Sequence, residues 1–130
     1  MPHEPPPELD QLAHDVIGAA IEVHRILGPG FLESVYEQSL CVELELRGIP
    51  FMQQYPVALL YKGHSVGDQR LDLLVDNRLV VELKAVSELL PVHQAQIISY
   101  LKATGCQLGL LMNFNVTILK EGVRRVVLSS

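Results

Sequence analysis

The sequence predicts a mixed α/β fold, of the α+β kind, with a central mixed β-sheet flanked by helices in the order α-α-β-β-β-α-β-β. Three observations carry that prediction. Apolar residues recur at three- and four-residue spacing from Leu9 to Leu27, as on one face of an amphipathic helix. Residues 70–86 hold two Val- and Leu-rich runs around the polar break Asp76-Asn77-Arg78, which reads as a β-hairpin. Leu108–Met112 is a nearly unbroken apolar run, suited to a strand buried on both faces. A helical stretch separates it from the hairpin, as a right-handed crossover between parallel strands requires.

With 130 residues, 48% of them hydrophobic, the chain can build one domain with a real core. Its formal net charge of −5 argues against a protein held on nucleic acid by a large basic surface. It leaves a metal-dependent site open, because bound cations offset carboxylates. Cys41 and Cys106 lack metal-ligand spacing and sit among apolar residues, so they read as free core thiols in a reducing compartment. No secretory signal is visible, and no apolar run approaches the ~18 residues that span a bilayer. The expectation is a cytoplasmic protein without membrane contact.

In chain order, the proline-rich residues 1–7 read as a flexible tail and residues 8–130 as the single domain. The first helix starts at Glu8, with Glu8 and Asp10 suiting its dipole, and stops at Gly28-Pro29-Gly30. The second runs from about Leu32 to Arg47, with Val35, Leu40, Val42, Leu44 and Leu46 among its apolar residues. Residues 51–61 form an edge-type strand because Pro56 limits pairing, and Gly67 marks a bulge or bend in the next strand. Pro91–Thr104 is a helix opened by proline and closed by Gly105, with Ala95, Ile97, Ile98 and Leu101 toward the core. Strands follow at Leu108–Asn113, about Val116–Leu119 and Val123–Leu128.

Three ionisable residues interrupt the hairpin runs: Asp72, Glu82 and Lys84. Side chains alternate along a strand, so Glu82 and Lys84 share a face. A two-residue loop would set Asp72 opposite Val81, whereas a three-residue loop sets it opposite Glu82. The three-residue loop is expected, since it alone gives the three charges a common place. Two carboxylates at one point suit Mg²⁺ or Mn²⁺, and an adjacent ammonium can orient a water or balance a phosphoryl group. The bland alternative is a solvated strand face with an ion pair. Glu33, Tyr36 and Glu37 lie about one turn apart at the start of the second helix, and Gln96 and Tyr100 share a face of the third, with His93 on the same side. Helical geometry separates Glu22 and His24 by about 200°, so His24 reads as an ordinary surface or boundary residue.

An Asp on one strand, Glu-x-Lys on the next, a preceding helix with Glu and a following helix with Gln-x-x-x-Tyr together resemble the PD-(D/E)XK nuclease superfamily. More narrowly, Gly30-Phe-Leu-Glu33-Ser-Val-Tyr36 resembles the motif for which the bacterial GxxExxY protein family is named. Ile17–His24, Val80–Lys84 and Tyr100–Gly105 are similar to that family too, so the likeness spans roughly residues 12–128. It implies a restriction-endonuclease-like core and a Mg²⁺- or Mn²⁺-dependent nuclease acting on nucleic acid, DNA by preference. It implies Asp72, Glu82, the Leu83 carbonyl and Glu33 as metal ligands and Lys84 as the catalytic lysine. Gln96 and Tyr100 would be the pair steadying the lysine or a phosphate. Leu71 stands where the literal motif has proline. The rival expectation is a catalytically silent module used in binding or assembly, supported by the acidic net charge. Either way a monomer of this size has no separate recognition domain, so specificity would call for a homodimer or another partner.

Overall fold

A computed structural model of the protein describes residues 4–128. Helices α1 (Pro7–Leu27) and α2 (Glu33–Leu46) come first, then strands β1 (Phe51–Tyr61), β2 (His64–Val75) and β3 (Leu79–Lys84). Helix α3 (Pro91–Thr104), β4 (Leu108–Asn113), a 3₁₀ turn (Leu119–Gly122) and β5 (Val123–Val127) complete the chain. The expected order α-α-β-β-β-α-β-β is the observed one. Of the supposed proline tail, residues 1–3 lie outside the described residues. Pro7 opens α1 at a position where its missing N–H is no loss, and the Pro6 carbonyl accepts from Leu9 and Asp10.

The five strands lie in the order β1-β2-β3-β4-β5. The first three form an antiparallel meander, β3 and β4 run parallel across α3, and β5 returns antiparallel to β4. Helices α1 and α2 cover one face, against Leu73, Val75, Leu79, Val81, Leu83, Leu108, Leu110 and Met112. Helix α3 covers the other, with Ile97 and Leu101 against Leu74, Val80 and Leu111. The alternation within β3 and β4 therefore feeds two cores, which is why their sequences are almost continuously apolar. Strand β1 is an edge, which accommodates Pro56, and the irregularity between Leu59 and Leu60 falls opposite Gly67. Past the main sheet, the tip of the β1–β2 ribbon extends as an arm with Leu60, Tyr61 and Val66 exposed.

Several local expectations need correcting. No strand forms at Val116–Leu119; the chain bends there into the 3₁₀ turn. The cause is Asn113, whose side chain is turned back to the Val86 backbone (Nδ2 to carbonyl 2.9 Å, N–H to Oδ1 3.1 Å), drawing the chain out of the sheet. Ala95 is exposed, because α3 rests on the sheet through Ile97 and Leu101. His24 is buried, and its Nε2 donates to the Val116 carbonyl at 2.8 Å, while Glu22 points outward to Arg25. On α2 the inward residues are Tyr36, Glu37, Leu40, Cys41 and Leu44; Leu32, Val42 and Leu46 are exposed. Both cysteines are free and buried. Among the described residues no helix is long and apolar enough to cross a membrane.

Two glycines set close approaches. A Cβ on Gly109 would lie 2.9 Å from Ile97 Cγ2, a movable side chain, whereas one on Gly122 would lie 2.3 Å from the Asn113 backbone oxygen. Gly109→Ala is expected to cost about 1–3 kcal/mol by overpacking. Gly122→Ala should cost more, because backbone has to move. Urea unfolding of the two variants measures the order.

Candidate active site

The β2–β3 loop holds three residues, as the Val75–Leu79 pairing shows. Asp76 and Asn77 adopt left-handed backbone (φ 52 and 55), which these two residue types tolerate better than most, and the Arg78 N–H closes the turn on the Val75 carbonyl at 3.0 Å. The register that follows, Leu73 with Val81, sets Asp72 across from Glu82. There the backbone ladder gives way to an exchange between side chains and backbone. The Asp72 N–H donates to Glu82 Oε1 at 2.7 Å, and the Leu83 N–H donates to Asp72 Oδ2 at 2.9 Å. Each carboxylate thus holds the opposite strand and retains one oxygen not used in this exchange.

Both acids are driven toward their neutral forms. Burial lifts the Glu82 carboxyl to about 8, and the charge of Asp72 adds to the effect. Burial likewise lifts Asp72 to about 6, with Glu37 and Glu33 pushing the same way. Lys84 lowers both, and also Glu33, but less than burial raises them. Among the described residues the ion pairs are His14–Asp15, Arg25–Glu22, Arg47–Glu43 and Arg125–Asp10, none of which involves this site. Lys84 therefore does not offset the burial of the two acids, and the pair favours its protonated form.

Helix α2 delivers its acids through a tyrosine clamp. The Tyr36 hydroxyl donates to the Gly28 carbonyl (2.6 Å) and accepts from the Phe31 N–H (3.2 Å), and its ring stacks on Phe114 at 4.7 Å. This fully buried side chain fixes the glycine turn and so the first turn of α2, where Glu33 sits. Glu33 lies within the fields of Lys84, His93 and Glu37, with burial raising its carboxyl. Glu37, only 8% exposed, accepts from Gln53 (2.7 Å) and from Gln54 (2.9 and 3.0 Å). Gln54 also reaches Asp72 Oδ1 at 3.4 Å. Among the described residues no group of three or more His, Cys, Asp or Glu side chains is gathered as a metal cage. Asp72 and Glu82 meet; Glu33 contributes through its charge.

On the other side, Gln96 Nε2 donates to the Tyr100 hydroxyl (3.1 Å), which donates to Gln69 Oε1 (3.0 Å). Burial, then the charges of Glu82 and Asp72, push the phenol up to about 12, so it stays a donor. His93 Nδ1 accepts the Leu90 N–H at 3.0 Å and caps α3. Lys84 ends β3 in register with Asn113, and its carbonyl accepts the Phe114 N–H at 2.8 Å. Of the expected residues, Asp72 and Glu82 are joined directly, Lys84, Glu33 and Tyr100 lie within their electrostatic reach, and Gln96 is linked to them through Tyr100. Gln53, Gln54 and Gln69 carry no signal in the sequence for this site. The only signal for Glu37 was its place one turn after Glu33.

The class of protein this defines is a mixed α/β sheet that carries a carboxyl pair, Glu82 buried and Asp72 partly so, on its middle strands with a lysine two residues on. Comparison with known protein families agrees: the profile of the PD-(D/E)XK nuclease superfamily matches residues 10–126. The chain belongs to that superfamily. Comparisons with curated proteins and with solved structures give no match.

A carboxyl whose pKa is higher in the folded chain binds its proton more readily there, so rising pH removes a proton the fold prefers to keep. Metal-free protein is therefore expected to lose stability as pH rises from about 4, where the unfolded acids titrate, to about 8, where Glu82 does. Melting temperatures across that range should fall by several degrees. In Asp72→Asn and Glu82→Gln the slope should flatten.

Proposed function

We propose that the protein is a divalent-metal-dependent nuclease of the GxxExxY kind, hydrolysing phosphodiester bonds of nucleic acid, with DNA the preferred substrate class. The observation that carries this reading is the Asp72–Glu82 pair. It brings two carboxyls together, Glu82 buried and Asp72 partly so, each with an oxygen outside their mutual exchange, where an added cation would favour the ionised forms that Lys84 alone does not secure. Hard oxygen donors of this kind fit Mg²⁺ or Mn²⁺. Asp72, Glu82 and the Leu83 carbonyl would hold the ion, with Glu33 as the nearby helical acid. When bound, such an ion supplies Lewis-acid polarisation of the phosphate and acidifies a water.

The chain's own residues do the rest. Lys84 donates to the attacking water and offsets charge growing on the phosphoryl oxygens. Tyr100, kept protonated and held by Gln96, would give its one proton to a phosphate oxygen by turning it away from Gln69 Oε1. Charge distribution supports a polyanionic substrate despite the net −5. Residues 1–50 carry nine Asp/Glu against two arginines, whereas residues 51–130 carry six Asp/Glu against eight Lys/Arg. The acidic excess therefore lies with α1 and α2, and exposed Lys62, Arg70 and Lys102 lie on the arm and α3. Free buried Cys41 and Cys106 accord with a cytoplasmic location.

A second reading, a module for assembly, is favoured by exposed apolar residues at α2, Leu32 at its N-cap and Val42 and Leu46 on the helix. Incubation of purified protein with single- and double-stranded DNA and RNA, with Mg²⁺ or Mn²⁺ and then EDTA, separates the two. Nuclease activity should appear with metal, vanish with EDTA and fall by about 10²-fold or more in Lys84→Ala. Absence of cleavage on every substrate, or cleavage indifferent to Lys84, speaks for the assembly module.

A further inference from the structure

We propose that Gln54, oriented by Glu37, is the positioning residue that fixes the free oxygen of Asp72. A regular strand sends consecutive side chains to opposite faces. Gln53 and Gln54 nevertheless reach the same carboxylate, Gln53 to Glu37 Oε2 at 2.7 Å and Gln54 to Oε1 and Oε2 at 2.9 and 3.0 Å. The backbone of Gln54 makes this possible: its φ is 53, a left-handed conformation that side chains larger than glycine rarely take inside a strand. The pairing continues on either side, Gln53 with Leu73 and Tyr55 with Leu71, so the residue is rotated without a shift of register. Asp72 stands between those two partners. At the same place β2 also turns, because Leu71 and Leu73 pack into different cores although they are two residues apart.

The rotation has one chemical product. It brings the Gln54 amide between Glu37 and Asp72 Oδ1, 3.4 Å away, while the Leu83 N–H holds Oδ2 at 2.9 Å. Asp72 is thereby steadied at both oxygens, from β3 on one side and from β1 on the other. Glu37 makes the amide directional, since a carboxylate accepts only and so turns the NH₂ group of Gln54 toward the acids. Arg70 steadies the rotated backbone by donating to the Gln54 carbonyl at 3.1 Å. Outer partners of this kind set the orientation of a ligating carboxylate. The step toward metal affinity rests on the proposed nuclease reading; the step toward Asp72 orientation does not.

Gln54→Asn keeps an amide and tolerates φ 53 but is one methylene too short, and Gln54→Gly relieves the backbone while removing the amide. Both are compared with the parent by amide hydrogen exchange on metal-free protein and by calorimetry with Mn²⁺ alone. Exchange at Leu83 reports the grip of Asp72, and exchange at Asp76, bonded to the Pro50 carbonyl at 2.8 Å, reports the integrity of the same hairpin. Expected are Leu83 exchange faster by about tenfold with Asp76 unchanged, and Mn²⁺ affinity weaker by about 10–100-fold. Unchanged Leu83 exchange in both variants overturns the proposal, as does equal acceleration at Leu83 and Asp76, which would mark a general loosening of β1. If the parent binds no Mn²⁺, the metal reading fails while the exchange data still decide the role of Gln54.

Discussion

The structure depends on an exchange across one rung of the β2–β3 ribbon, where two acids take over the work of backbone hydrogen bonds. Asp72 receives the N–H of Leu83 and Glu82 receives the N–H of Asp72, so the strands stay joined while two carboxylates are drawn in from water. Ordinary cross-strand bonds would serve stability better, since burying a charge without a partner costs several kcal/mol. The raised acids record that cost in the protein itself. On the proposed reading a hard cation would offset that cost, since its charge and donor preference match two carboxylates.

The rest of the fold serves that rung. Strand β4 pairs in parallel with the whole of β3, through Lys84 with Asn113, and then Phe114 bonds the Lys84 carbonyl. Asn113 ties Val86, so the strand end carrying the lysine is held from both sides. Tyr36 fixes the start of α2 by bonding the glycine turn, and this is the physical use of a glycine–glutamate–tyrosine spacing: the tyrosine anchors and the glutamate projects. Helix α3 packs close over Gly109 and brings Gln96 and Tyr100 to the opposite wall. Three layers thus converge on a single strand end.

Much of this was legible from the chain alone, and the limits follow a physical pattern. Strand parity placed Glu82 and Lys84 together, and the common purpose of three charges selected the three-residue loop that the pairing of Val75 with Leu79 shows. Gly105 and Pro91 bounded α3 because they act locally. Glu37 stood out beside Glu33 but its partners did not, because they come from a strand whose alternation should have offered only one of Gln53 and Gln54. Gln69 was hidden for a similar reason: its bond to Tyr100 joins residues 31 apart in sequence. The supposed strand at Val116–Leu119 had the right residue types, but a side chain at Asn113 redirected the backbone before it. The net charge is a sum over the chain and conceals its uneven division between residues 1–50 and 51–130.

The most direct test of the account is an anomalous difference map from crystals of the protein soaked in Mn²⁺. The account predicts a peak between Asp72 and Glu82 within roughly 2.0–2.3 Å of one oxygen from each carboxylate, the range of hard-cation ligation. A map from well-soaked crystals with no peak between the two acids would contradict it.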